Sequence, residues 1–142
     1  MMKYLLVEDE RFAYEEIKRM MQALRADYQM IGWAESVEQA VGFLKQGNID
    51  LMIVDIRLSD GISFEIFEQC PIEIPVIFTT AYDEYALKAF KVNSIDYLLK
   101  PIDEKELDAA LCKFERRNYL NCTMPEYKKL EETYLSNNRK NR

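Results

Sequence analysis

Histidine is absent from the 142 residues. That removes the usual general base, every Ser-His-Asp or Cys-His nucleophile system and every zinc site that uses histidine. Cysteine is scarce. Cys70, Cys112 and Cys122 are odd in number and irregularly spaced, with no Cys-x-x-Cys, so neither a zinc ribbon nor a disulfide framework is supported. Buried thiols in a reducing cytosol are the expected state. Glycine and proline number four each, which excludes collagen-like and low-complexity chains. No apolar run approaches the roughly 18 residues of a spanning helix. The apolar Tyr4-Leu5-Leu6-Val7 meets acid at once, so it is not a secretory signal. No G-x-G-x-x-G and no G-K-[ST] loop is present, which leaves a nucleotide-binding domain unsupported. The expectation is a cytoplasmic protein without a membrane partner.

Apolar residues make up 49% of the chain and charged residues 31%, enough for one sizeable core and too much for disorder. The charge is uneven. Residues 1–115 hold 22 acids and 12 bases, whereas residues 116–142 hold 3 acids and 7 bases. An acidic body is a poor surface for DNA, and the change of sign marks a body and a tail.

Hydrophobic patterning gives the order of elements. Residues 3–7 form an apolar run that stops at Glu8-Asp9 and reads as a buried strand. Residues 10–25 place Phe12, Ala13, Ile17, Met20, Met21 and Leu24 at helical spacing. A second strand is predicted over 28–34, then a helix carrying Val37, Ala40, Val41 and Leu44, with Ser36 as N-cap and Gly47-Asn48 as its stop. Leu51-Met52-Ile53-Val54 is apolar at every position, as in parallel strands covered on both faces, and Asp55 follows. Asp60-Gly61 is a turn, and 63–69 a short helix. A strand over 75–79 ends at Thr80, a helix is predicted over 84–91, and a strand over 95–99 closes at Lys100-Pro101. Asp103 with Glu106 three residues on has capping-box spacing, before a stripe of Leu107, Ala110, Leu111 and Phe114. Five β-α units of these lengths predict an α/β domain, a flavodoxin-like doubly wound parallel sheet with strand order 2-1-3-4-5.

The strand ends carry the chemistry. In such a sheet the carboxyl ends of strands one and three meet at the switch point, where ligands bind. Glu8 and Asp9 should therefore converge with Asp55, beside Thr80 and Lys100. Three carboxylates in one space repel one another unless protonated or neutralised by a cation, and an all-oxygen donor set selects a hard ion such as Mg²⁺. A carboxylate nucleophile, a divalent cation, an ammonium and a hydroxyl are the parts that phosphoryl transfer needs. An ionised Asp requires no base, so the missing histidine is no obstacle.

The segments Leu6-Val7-Glu8-Asp9-Glu10, Ile53-Val54-Asp55-Ile56-Arg57-Leu58, Thr79-Thr80-Ala81 and Leu99-Lys100-Pro101 resemble the receiver domain of two-component response regulators. The resemblance spans about residues 3–117. The stretch from Phe78 to Phe90 looks further like the LytTR-type subfamily, whose members usually carry a C-terminal DNA-binding domain. The resemblance implies Asp55 as phosphoacceptor, Glu8 and Asp9 as the acidic pair for Mg²⁺ and the Arg57 carbonyl as a further ligand. It implies Thr80 and Lys100 as partners of the phosphoryl group, Tyr97 as the switch aromatic, and a cis Lys100–Pro101 bond. Glu8 stands where the family more often has Asp, and Ser59 where it usually has proline.

The implied function is a phosphorylation-activated switch. It takes its phosphoryl group from a sensor histidine kinase and controls an output, transcription in this subfamily. Homodimerisation through 84–91, the following strand and the last helix is implied too. The chain is not an enzyme beyond self-phosphorylation and slow self-dephosphorylation. The alternative is an aspartate-nucleophile, Mg²⁺-dependent phosphatase, but that class needs a second acid two residues after the nucleophile, where this chain has Arg57. Residues 1–117 form the receiver. Residues 118–142 read as a basic linker, too short for a LytTR domain, in a fragment or a lone receiver. DNA would be reached only through a domain outside these residues.

Overall fold

The structure is a computed structural model that describes residues 2–70, 73–81 and 94–121, with side chains up to residue 117. The helix predicted over 84–91, with Tyr82, Tyr85 and Phe90, lies outside the described residues, as do Cys122 and most of the tail. The chain divides into two compact units, Met1–Ala110 and Leu111–Arg142.

The first unit holds one five-stranded parallel sheet. Its elements are β1 (Lys3–Val7), α1 (Arg11–Leu24), β2 (Gln29–Ala34), α2 (Val37–Gln46), β3 (Leu51–Asp55), β4 (Arg57–Leu58), β5 (Gly61–Ile62), α3 (Phe64–Gln69), β6 (Val76–Thr80) and β7 (Ser94–Leu99). The helix α4 (Glu104–Asn121) starts in this unit and continues into the second. The sheet order is β2-β1-β3-β6-β7, the doubly wound order expected from the sequence, with strands β6 and β7 in the places of the fourth and fifth. The hairpin β4–β5 is the addition. It pairs two residues with two, too short for periodicity to reveal.

Every residue of β3 and β6 is buried, as is β1 from Tyr4 onward, because helices need apolar contacts on both faces of a parallel sheet. One core cluster joins Leu5, Val7, Met52, Val54, Val76 and Phe78 to Val37, Ala40, Val41 and Leu44 of α2 and to Ile66 of α3. Each of these side chains larger than alanine contributes about 1.5–3 kcal/mol of burial. A Cβ at Gly32 would overlap the Phe43 ring, so glycine is what lets α2 close on β2. On α1, Ile17, Met20 and Met21 are buried, but Phe12 is 73% exposed and does not join the core that its helical spacing suggested. In the first turn of α1, it rides the outer edge of the apolar stripe.

Helix ends follow the caps that the sequence offers, with two differences. The Ser36 hydroxyl accepts from Gln39 N at 3.1 Å, and Gly47 (φ 78°) and Asn48 (φ 66°) take the left-handed conformations that stop α2. The first difference is that Asp60 supplies a second cap: its carboxylate accepts from Val37 N (2.8 Å) and Glu38 N (3.2 Å). The second is that the Asp103 carboxylate accepts from Lys105 N at 3.1 Å rather than from Glu106. Cys112 is exposed and Cys70 half-buried, so the expectation of buried thiols does not hold for these two. Among the described residues no helix is long and apolar enough to cross a membrane.

Candidate functional site: an acidic cluster at the switch point

The topology concentrates the site. Strand β1 lies between β2 and β3, so the chain leaves β1 at the point where connections diverge to opposite faces. Glu8 extends the ladder by one bond, its N–H donating to Ala34 O at 2.9 Å. Its carbonyl accepts from the Trp33 indole Nε1–H at 2.7 Å, and its side chain accepts from Glu10 N at 3.2 Å. Asp55 is the last residue of β3, in register with Thr79 of β6, and its Oδ1 accepts from Arg57 N at 3.4 Å. Across the sheet, Lys100 N donates to Thr80 O at 2.8 Å, which fixes where the chain leaves β7. The bond from Lys100 to Pro101 is cis.

These constraints aim one ammonium at two carboxylates. Lys100 Nζ lies 2.7 Å from Glu8 Oε1 and 3.0 Å from Asp55 Oδ2. Glu8 is fully buried and Asp55 only 7% exposed, while Asp9 is exposed. One carboxylate oxygen from each of Glu8, Asp9 and Asp55 falls within 4.8 Å of the others. Oxygen donors at that mutual spacing suit a hard cation, so the residues present fit Mg²⁺. Burial dominates the electrostatics. It pushes the Glu8 carboxyl up to about 8; the hydrogen bond from Lys100 opposes that, and the Asp55 charge adds to it. Burial also pulls Lys100 down, but its hydrogen bonds and attraction to Glu8 and Asp55 outweigh that and leave it raised.

The raised Glu8 gives a signed prediction. In the unfolded chain Glu8 titrates near its ordinary value of 4.5, so between there and about 8 the folded state holds a proton that the unfolded state has lost. Stability without metal therefore falls as pH rises through this window and levels off above it. Melting in metal-free buffer is expected at a lower temperature at pH 8 than at pH 5. Glu8→Gln should flatten the slope, and a wild-type melt that rises over the same range would refute the shift.

The structure brings Glu8, Asp9, Asp55 and Lys100 together. Thr80 is buried at the end of β6, Arg57 exposed on β4, and Tyr97 half-buried on β7 against the core that contains Phe78. Sequence reasoning missed two residues. One is Trp33, which strand periodicity does not single out, although it precedes the last residue of the strand beside β1. The other is Asp60, whose Asp-Gly pattern marks a turn and gives no sign of the cap it supplies to α2.

Fold and site together define a class: an open α/β module whose strand ends present an aspartate among acids and a lysine. Residues 4–112 match the family described as "Response regulator receiver domain". The chain belongs to this family. It is 38% identical over 120 residues to the sensory transduction protein LytT of Bacillus cereus, covering 82% of this chain and 48% of that protein. It is 37% identical over 123 residues to the sensory transduction protein LytR of Streptococcus agalactiae, covering 84% and 50%. The chain thus spans about half the length of these curated relatives. Among solved structures, the response regulatory domain of mrkE from Klebsiella pneumoniae is similar, with TM-score 0.71, 28% identity, and 82% and 97% of the two chains covered. So is the response regulator TrrA of Thermotoga maritima, solved in complex with Mg²⁺-BeF, with TM-score 0.68, 27% identity, and coverage of 80% and 99%.

Proposed function

We propose that this protein is a phosphorylation-controlled switch in two-component signalling, with Asp55 as its acceptor. The observation that carries the reading is the cluster itself: Asp55 ends a central strand within 4.8 Å of two further acids and 3.0 Å from the Lys100 ammonium. The donor is a phosphohistidine on a sensor histidine kinase. An Asp55 oxygen attacks phosphorus, the phosphorus–nitrogen bond breaks, and the histidine nitrogen leaves with the bonding pair. Asp55 keeps the phosphoryl group as an acyl phosphate. Lys100 is placed to hold charge on the phosphoryl oxygens as it develops. Glu8, Asp9, Asp55 and the Arg57 carbonyl are the ligands proposed for Mg²⁺, which when bound supplies positive charge opposite those same oxygens. The Mg²⁺-BeF complex of the Thermotoga maritima neighbour supports this assignment.

Thr80 and Tyr97 are proposed to relay the change. Thr80 sits at the carboxyl end of β6, where its hydroxyl can follow the new oxygens, and Tyr97 lies on the neighbouring strand. Movement of the first makes room for the second and alters the β7 face, proposed as a dimer surface. Tyr97→Ala should leave phosphorylation intact and weaken phosphorylation-dependent self-association by sedimentation. Association equal to wild type would refute the relay. The output is proposed to be transcription, through a DNA-binding domain like those of LytTR-type regulators, with residues 118–142 as the basic linker after a receiver over 1–117. Self-dephosphorylation is proposed to be slow, because exposed Arg57, two residues past Asp55, is neither an acid nor an amide able to orient water.

The test is incubation with acetyl phosphate and Mg²⁺ followed by intact mass. One added phosphate that is lost when EDTA replaces Mg²⁺ is expected. No gain, or continuous release of inorganic phosphate over many turnovers, would overturn the switch reading; the latter would favour a phosphatase.

A further inference from the structure

We infer that Trp33, held by Tyr14, is a positioning residue for the metal-binding loop. The inference rests on the Mg²⁺ reading above. The chain contains a single tryptophan, and its indole N–H donates to the Glu8 carbonyl at 2.7 Å. That carbonyl has lost its regular partner. Glu8 N still pairs with Ala34 O, the last bond of the β1–β2 ladder. In the parallel register the next donor to this carbonyl would be Ser36 N, but the chain has already turned there, with Ser36 as the N-cap of α2, and none of the described backbone bonds reaches the Glu8 oxygen. The carbonyl at the root of the acidic loop would be left without a ladder donor, and the Trp33 side chain takes that place.

The indole is itself fixed. Tyr14 of α1 stacks on it with ring centroids 3.8 Å apart and planes 7° from parallel, and Lys18 Nζ stands 5.8 Å from the Tyr14 centroid. The pair therefore clamps β2 to α1 across the loop of Glu8, Asp9 and Glu10. Glu10 N, bonded to the Glu8 side chain, closes the loop on the inside. A loop held at its root presents its two acids in one arrangement, so an incoming cation does not have to order it. Groups that orient ligands without touching the metal commonly change affinity by about 10–100-fold when removed.

Trp33→Phe keeps an aromatic ring against Tyr14 and removes the N–H together with the second ring of the indole. It is expected to weaken Mg²⁺ binding about tenfold by calorimetry, with a metal-free melting temperature close to wild type. In the wild-type chain, Trp33 emission should change on Mg²⁺ addition with the same midpoint as the calorimetric titration. This second measurement needs no variant, so it stands even if Trp33→Phe fails to fold. Mg²⁺ affinity unchanged in Trp33→Phe would overturn the role of Trp33, as would wild-type emission that ignores Mg²⁺ while heat is released. No heat of Mg²⁺ binding in the wild type would instead overturn the metal site itself.

Discussion

Asp55→Asn is expected to gain no phosphate from acetyl phosphate under conditions that fully modify the wild type. The effect is all-or-none because the substitution removes the nucleophile and leaves the rest nearly untouched. An amide oxygen carries no charge and forms no stable bond to phosphorus, whereas its shape matches the carboxylate it replaces. Lys100 retains Glu8 as a partner at 2.7 Å, so the fold should survive, and relief of repulsion between buried acids offsets part of the lost ion pair. Intact mass gives the answer directly. Any phosphate retained by the variant would move the acceptor elsewhere, with exposed Asp9 the nearest alternative within the cluster.

The second large effect concerns Lys100. Its ammonium is the one cation found within 3.0 Å of Asp55 Oδ2 among the described residues, and phosphoryl transfer builds negative charge at that point. Lys100→Met keeps the length of the stem and removes the charge. The rate of phosphorylation by acetyl phosphate should fall about a hundredfold, or about 2.7 kcal/mol of barrier. Mg²⁺ binding should not fall with it. Without the ammonium, Glu8 and Asp55 face each other uncompensated, and a divalent cation becomes the remedy that remains. A variant that phosphorylates at the wild-type rate would show that Lys100 only balances charge in the resting protein. A variant that loses Mg²⁺ and phosphorylation together would show that it organises the site.

The sheet and the main acids were legible because both follow from short-range rules. Continuous apolar runs at residues 51–54 and 75–78 announce strands covered on both faces, and these strands end at the carboxyl edge, at Asp55 and Thr80. Right-handed crossovers then bring Glu8 next to Asp55 without any knowledge of contacts. What the sequence could not supply depends on chain directions settled only in three dimensions. That Lys100 prefers Glu8 and Asp55 to Asp9 reflects the depth of each acid, which no periodicity encodes. Phe12 obeys helical spacing yet stays outside, because the stripe on α1 is wider than the face the sheet covers. Trp33 is a half-buried strand aromatic by pattern, and only the folded chain brings its indole N–H onto the Glu8 carbonyl. The hairpin of Arg57–Leu58 with Gly61–Ile62 is shorter than any period.

The double hold that Asp60 keeps on Val37 and Glu38 ties two stretches of chain that are 23 and 22 residues apart. Asp60 lies at the tip of the hairpin that leaves Asp55, so the start of α2 is held by the loop after Asp55 as well as by its own Ser36. Cutting such a cap costs a helix about 1 kcal/mol. The helix end and the loop therefore rise or settle as a single mechanical piece. A displacement beginning at Asp55 would have a lever on the far side of the sheet, in the direction opposite to Thr80 and Tyr97.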